Sequence, residues 1–158
     1  MRFYLIDRIK EIIPGERATG VKCWSMDNEI FQDHFPGLPV TPGIMLTESM
    51  AQLSGFLIKK SYYKEYGDGT KMYPVLSIIQ KAKFRTFVRP GDQCIIKAQL
   101  ISIDNGRGNT KAQTFVDNEL VCEATLSFFI VSESDLDNNP KLDTIDEYYD
   151  SISPKTGD

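Results

Sequence analysis

The sequence predicts one α+β domain, a curved antiparallel sheet wrapped around a single buried helix, followed by an acidic tail. Three observations lead there. A segment after Pro42 is apolar nearly all round, several strand-length runs follow it, and the charge balance changes sign near residue 132. At 158 residues the chain can bury one sizeable core and has no need of a second domain. The expected division is a folded domain over 1–131 and a tail over 132–158, either disordered or weakly helical around Leu142–Tyr149.

The helix is expected over about Gly43 to Lys60. Ile44, Met45, Leu46, Met50, Ala51, Leu53, Phe56, Leu57 and Ile58 leave no broad polar face before Lys59-Lys60, and such a helix is enclosed by its protein. Thr41-Pro42 suits its start, because threonine can cap and proline is tolerated in a first turn. Upstream, Leu5, Ile9, Ile12 and Ile13 have helix-like spacing over residues 4–13, closed by Pro14-Gly15. Arg17 to Met26 is a first strand and Phe31 to Gly43 a loop stiffened by prolines. Downstream, strands are expected over Lys71–Val88, Gln93–Ile103, Asn109–Val116 and Leu120–Val131. Turns fall at Arg89-Pro90-Gly91-Asp92, Asn105-Gly106-Arg107-Gly108 and Asp117-Asn118-Glu119.

Composition excludes several function classes. Cys23, Cys94 and Cys122 are far apart and the chain has one histidine, so a Cys/His metal site is not expected; free, mostly buried thiols are. The longest apolar segment, Ile44 to Ile58, contains Glu48 and Gln52 and is too short to cross a bilayer, so no membrane span and a cytosolic location are expected. From Glu133 onward eight acids face two bases, which leaves residues 1–132 mildly basic at a net +2. That balance is compatible with an acidic protein partner and far too weak for nucleic acid.

Chemistry concentrates around residue 40. His34, the only histidine, stands in the rigid loop beside the buried helix, where catalytic groups collect, and an imidazole can act as a base at neutral pH. It can equally be a satisfied structural side chain. Glu48 lies in the second turn of the helix. A carboxylate buried there would favour its protonated form, as a general acid requires, or would simply be held by Gln52 one turn on. Gly43 begins the helix, where unpaired N–H groups and the positive dipole end could hold an oxyanion; Pro-Gly also makes a tight helix entry. Lys81, Lys83, Arg85 and Arg89 would share one face of a strand at period two, either as a solvated edge or as a docking patch for an acidic protein.

Residues 34–52, HFPGLPVTPGIMLTESMAQ, resemble the active-site segment of the beta-hydroxyacyl-acyl-carrier-protein dehydratases. His34, Phe35, Pro36, Gly37, Pro39, Pro42, Gly43, Glu48, Ala51 and Gln52 match every defined position of the pattern. The likeness extends through LIDRIKEIIPGER (5–17) and KAKFRTFVRPGDQ (81–93) to about Ile130. It implies the hot-dog fold and a homodimer with active sites shared between subunits, with a trimer of dimers as a further option. It also implies a substrate carried on the 4'-phosphopantetheine of acyl carrier protein, and no metal or cofactor.

By the same resemblance His34 removes the C2 proton, Glu48 protonates the departing C3 hydroxyl, the Gly43 N–H holds the thioester carbonyl and Gln52 orients Glu48. Glutamate at the acid position is similar to the plain dehydratase branch rather than the dehydratase/isomerase branch. Ile44 and Met45 would line an acyl tunnel. Leu38 departs from the second histidine of many relatives. Fatty-acid elongation is the first expectation. A specialised polyketide or aryl-polyene type pathway, a hot-dog thioesterase and a non-catalytic acyl-binding protein are the alternatives.

Overall fold

The computed structural model describes residues 3–136 and 142–155. Its strands are β1 (Arg8–Ile13), β2 (Arg17–Cys23), β3 (Met72–Phe84), β4 (Gln93–Ile103), β5 (Arg107–Val116) and β6 (Glu119–Ser132). The helices are a short α1 (Ile30–Asp33), α2 (Gly43–Tyr66) and α3 (Asp143–Ser151). The strands form one antiparallel sheet in the order β1-β2-β4-β5-β6-β3, which leaves β1 and β3 at the edges. The expected sheet around a central helix is therefore present.

α2 lies in the hollow of this sheet. Met50, Leu53, Leu57 and Ile58 are completely buried and share a core with Ile96, Val121 and Leu126. The hollow is made by small residues. Ala18, Ala98, Ala112 and Ala124 are successive register partners across β2, β4, β5 and β6, and all four are buried. Gly20 and Gly108 deepen it: a Cβ at Gly20 would meet Leu53 at 3.3 Å, and one at Gly108 would meet Ile58 at 2.9 Å. Burial of an apolar side chain contributes about 1.5–3 kcal/mol, so the close fit of helix and sheet dominates the energetics.

Three expectations need correction. Residues 4–13 are not a helix: Leu5 and Ile6 are buried in an extended lead-in to β1. Ile9 pairs with Gly20 and Ile12 with Ala18, so two positions on β2 face three steps on β1, with a register shift between Ile9 and Glu11. This bulge returns the inward face after three residues and so imitates helical spacing. Thr41 does not cap α2. Pro42 is the N-cap, the Thr41 N–H donates to the Val88 carbonyl at 2.7 Å, and its hydroxyl is buried without a described partner. α2 also continues past Lys60 to Tyr66, because Lys59, Ser61 and Tyr62 are still enclosed, and it stops at Gly67 with φ +82°.

The acidic tail contains a packed helix. α3 buries Tyr149, stacks Tyr148 on Tyr4 at 4.1 Å, and returns the Ile152 carbonyl to the Ile9 N–H at 2.9 Å. Its acids meet lysines of the body: Asp146 pairs with Lys59, Asp150 with Lys60 at 2.7 Å, and Asp143 with Lys71 at 2.8 Å. Much of the tail's charge is thus complementary to one face of the body. α3 falls on the weak helix expected around Leu142–Tyr149 as the alternative to disorder.

The three thiols are free. Burial pushes Cys94 and Cys122 up to about 12, which leaves them protonated and inert, while Cys23 is exposed. Among the described residues no helix is long and apolar enough to cross a membrane. The contact between β5 and α2 predicts that Gly108→Ala, by forcing a methyl group against Ile58, lowers unfolding free energy by about 1–3 kcal/mol. Urea denaturation of wild type and variant measures this.

Candidate active site

The loop before α2 is folded against itself at His34. The Val40 N–H donates to the His34 carbonyl at 2.9 Å, and the imidazole Nδ1 lies 2.8 Å from the Val40 carbonyl. A carbonyl oxygen can only accept, so Nδ1 carries the proton and Nε2 is left with its lone pair. Phe35 stacks on the imidazole at 4.1 Å, and Phe35 and Leu38 exchange N–H···O bonds of 3.0 and 2.9 Å around Gly37. Gly37 has φ +78°, a conformation that glycine adopts without a steric penalty. His34 is half-buried and oriented, with Nδ1 engaged by the Val40 carbonyl.

Glu48 is half-buried, not enclosed as the sequence suggested, because this face of α2 opens onto a cavity. Gln52 holds it. The Gln52 Oε1 accepts the Leu5 N–H at 2.8 Å and the Tyr149 hydroxyl at 3.1 Å. Its Nε2 donates to the Phe3 carbonyl and to Glu48 Oε1, both at 3.0 Å. Since an N–H can only donate and a carbonyl only accept, Leu5 and Phe3 together determine which way round the amide lies. The expected Gln52–Glu48 contact is present, and Glu48 Oε2 is unengaged among the described residues.

Tyr149 was not anticipated from sequence. Burial, followed by Tyr148 and the negative charge of Glu48, pushes its phenol well up, so it stays protonated and donates to Gln52. The available signal was the Tyr148-Tyr149 pair beside Ile145 and Ile152 in an otherwise polar tail.

Gly43 opens α2, where first-turn N–H groups lack intrahelical acceptors. A Cβ there would lie 2.7–3.0 Å from the Phe84 ring, so close approach to the end of β3 is what the glycine permits. Glu48, Ala51, Gln52 and Gly55 of α2 line a cavity of about 280 Å³, faced by Val75 and Leu76 of β3 and Ile145 and Tyr149 of α3. Ile44 and Met45 do not line it: Ile44 is 75% exposed and Met45 is buried in the core.

Within one chain, no hydrogen bond or ion pair among the described residues joins His34 to Glu48. The basic cluster is also only partly as expected. Lys81 and Lys83 are exposed on β3 at alternate positions, but β3 ends at Phe84 and Arg89 lies in the turn before β4. Arg85 pairs with Glu123 at 2.6 Å, which offsets its charge and holds that carboxyl below the usual range.

The family of FabA-like domains matches residues 1–125. The chain belongs to this family. It is 41% identical over 128 residues to the 3-hydroxyacyl-[acyl-carrier-protein] dehydratase FabZ of Caldicellulosiruptor saccharolyticus, covering 81% of this chain and 88% of that protein. The corresponding enzyme of Clostridium acetobutylicum is 38% identical over 128 residues, with 80% and 86% covered. Among solved structures, smu.793 of Streptococcus mutans bound to acetyl CoA superposes with a TM-score of 0.62 at 11% identity, covering 79% of this chain and 88% of that one. The dehydratase heterocomplex ApeI:P of Xenorhabdus doucetiae superposes at 0.57 with 14% identity, covering 82% and 99%. These superpositions show the shared fold, a hot dog, while α3 lies beyond the matched residues 1–125.

The Gln52 network predicts that Gln52→Leu leaves the Leu5 N–H and the Tyr149 hydroxyl without their acceptor. Each such group costs about 1–3 kcal/mol, so the urea midpoint should fall measurably. An unchanged midpoint would show that neither bond matters.

Proposed function

We propose that the chain is a 3-hydroxyacyl-acyl-carrier-protein dehydratase of fatty-acid biosynthesis, acting reversibly to give the trans-2-enoyl thioester. The family and the 41% identical relative named for this reaction support the reading. The observation that carries it is the complementary preparation of two groups. His34 has its proton committed to Val40 and Nε2 free, and Glu48 has one oxygen held by Gln52 and the other unengaged beside an apolar cavity.

The chemistry follows from those roles. Nε2 of His34 takes the C2 proton, electrons move into a C2–C3 double bond, and Glu48 protonates the departing hydroxyl, which leaves as water. Developing negative charge on the thioester oxygen is met by the Gly43 N–H and the positive end of α2. The proton that His34 gains and the one that Glu48 gives up balance over a turnover, once the two groups re-equilibrate.

A second copy of the chain completes the site. β3 is a long edge strand that exposes Val75, Ile78 and Ile79, with Phe84 at its end and Phe87 beyond. An uncovered apolar edge of this kind is a pairing surface. The reading is a homodimer in which His34 of one subunit works with Glu48 of the other, with dimers free to assemble further. It is a cytoplasmic enzyme whose acidic carrier docks through Lys81, Lys83 and Arg89.

His34→Ala and Glu48→Gln should each lower kcat/KM by about 10²–10⁴-fold, followed as hydration of an enoyl thioester on carrier protein. Full activity in either variant would overturn the assignment, and release of free thiol would indicate a thioesterase instead. Mixing the two inactive variants should restore part of the activity, because a mixed dimer keeps one intact site. For docking, Lys83→Glu with Arg89→Glu should raise KM for carrier-bound substrate only. An equal rise with a small thioester analogue would refute the carrier patch.

A further inference from the structure

The cavity beside Glu48 reaches Lys59 at its far end, and part of its wall there comes from outside the family match. Along α2 its lining residues are Glu48, Ala51, Gln52, Gly55, Phe56 and Lys59, a single helical stripe. Glu48 to Lys59 spans ~16 Å at 1.5 Å per residue. β3 and β6 supply apolar walls through Val75, Leu76 and Phe128. The rest of the wall is Leu136, Leu142 and α3, the last through Ile145, Asp146 and Tyr149, all of them after residue 125.

Two details make this more than a gap in packing. Gly55 is an interior residue of α2, where glycine weakens a helix. A Cβ there would make only ordinary contacts, 3.7 Å to Phe128 and 4.0 Å to Pro74, so packing does not demand glycine. What its absent side chain leaves is room in the middle of the cavity. At the far end Lys59, with a side chain only 7% exposed, pairs with Asp146 of α3 and lies 3.9 Å from the Tyr73 ring centroid. An apolar chain advancing from Glu48 ends against an ion pair whose lysine is enclosed and whose aspartate is half-buried. Displacing Asp146 would leave the enclosed Lys59 ammonium without its partner, which is costly.

We infer that α3 sets the acyl-length limit of this enzyme: the acyl group runs from Glu48 past Gly55, and the Lys59–Asp146 pair is its terminus. The inference rests on the dehydratase reading. An extended covalent chain advances ~1.2 Å per bond, so ~16 Å holds about a dozen bonds. Wild-type kcat/KM therefore rises or holds through medium-chain 3-hydroxyacyl groups and falls steeply for longer ones.

The test is the length profile of the full-length protein with carrier-bound 3-hydroxyacyl groups from short to long, read as the ratio of long-chain to short-chain kcat/KM. Gly55→Leu fills the middle and should lower that ratio about tenfold or more. The pair Lys59→Met with Asp146→Leu removes both charges together and should raise it by a similar factor. Ile145→Ala, a truncation at a partly exposed position that leaves every ion pair intact, should raise it in the same direction if the double variant fails to fold. An unaltered ratio in Gly55→Leu and in the far-end variant, with wild type active, overturns the role of α3. Wild type inactive on every chain length sinks the dehydratase reading itself.

Discussion

Enclosure of α2 by the curved sheet is the constraint on which the remaining features depend. A helix apolar nearly all round has no stable position in water, and a row of alanines together with Gly20 and Gly108 makes room for it on the concave side of the sheet. Once α2 is seated, Gly43, Glu48, Gln52, Gly55 and Lys59 occupy defined points on one rigid rod. Catalytic groups need placement to a fraction of an ångström, and a buried helix supplies it better than a loop.

Gln52 links that rod to the rest of the molecule. Its amide joins the N-terminal segment through Phe3 and Leu5, the tail helix through Tyr149, and the acid through Glu48. Every polar atom of the side chain is engaged, so the amide has one orientation and Glu48 meets a donor rather than an acceptor. The sequence argument for Gln52 needed only the spacing of one helical turn. The reason its amide cannot turn over lies in residues 47 positions before it and 97 after it.

His34, Glu48, Gly43 and Gln52 were legible because they fall within nineteen consecutive residues whose Pro/Gly punctuation and helical spacing are local properties. The strands after α2 were legible for the same reason, with ends differing by a residue or two except at β3. β3 stops at Phe84, so Arg89 is not part of the period-two face that includes Lys81 and Lys83. The first strand was misread because a β-bulge changes the repeat from two to three over a short stretch, and three is also a helical step. The helix face that lines the cavity is that of Glu48, Gln52 and Gly55, which the sequence did not single out as a lining. A helix with little amphipathic contrast does not declare which apolar side meets a neighbour and which meets space.

By itself the sequence determined a single α+β domain with one enclosed helix, the loop carrying His34, the acid one turn before Gln52, and the family they imply. Those follow from short-range spacing and composition. The tertiary structure alone decided that the alanines of four separate strands form one row beneath the helix, and that the acids of the tail pair with two lysines of α2 and with Lys71 just before β3. It also decided that, among the described residues, no hydrogen bond or ion pair joins His34 to Glu48, as the shared-site expectation allows. Each of these depends on which distant segments become neighbours. That is set by strand register and the curvature of the sheet, which no local pattern specifies.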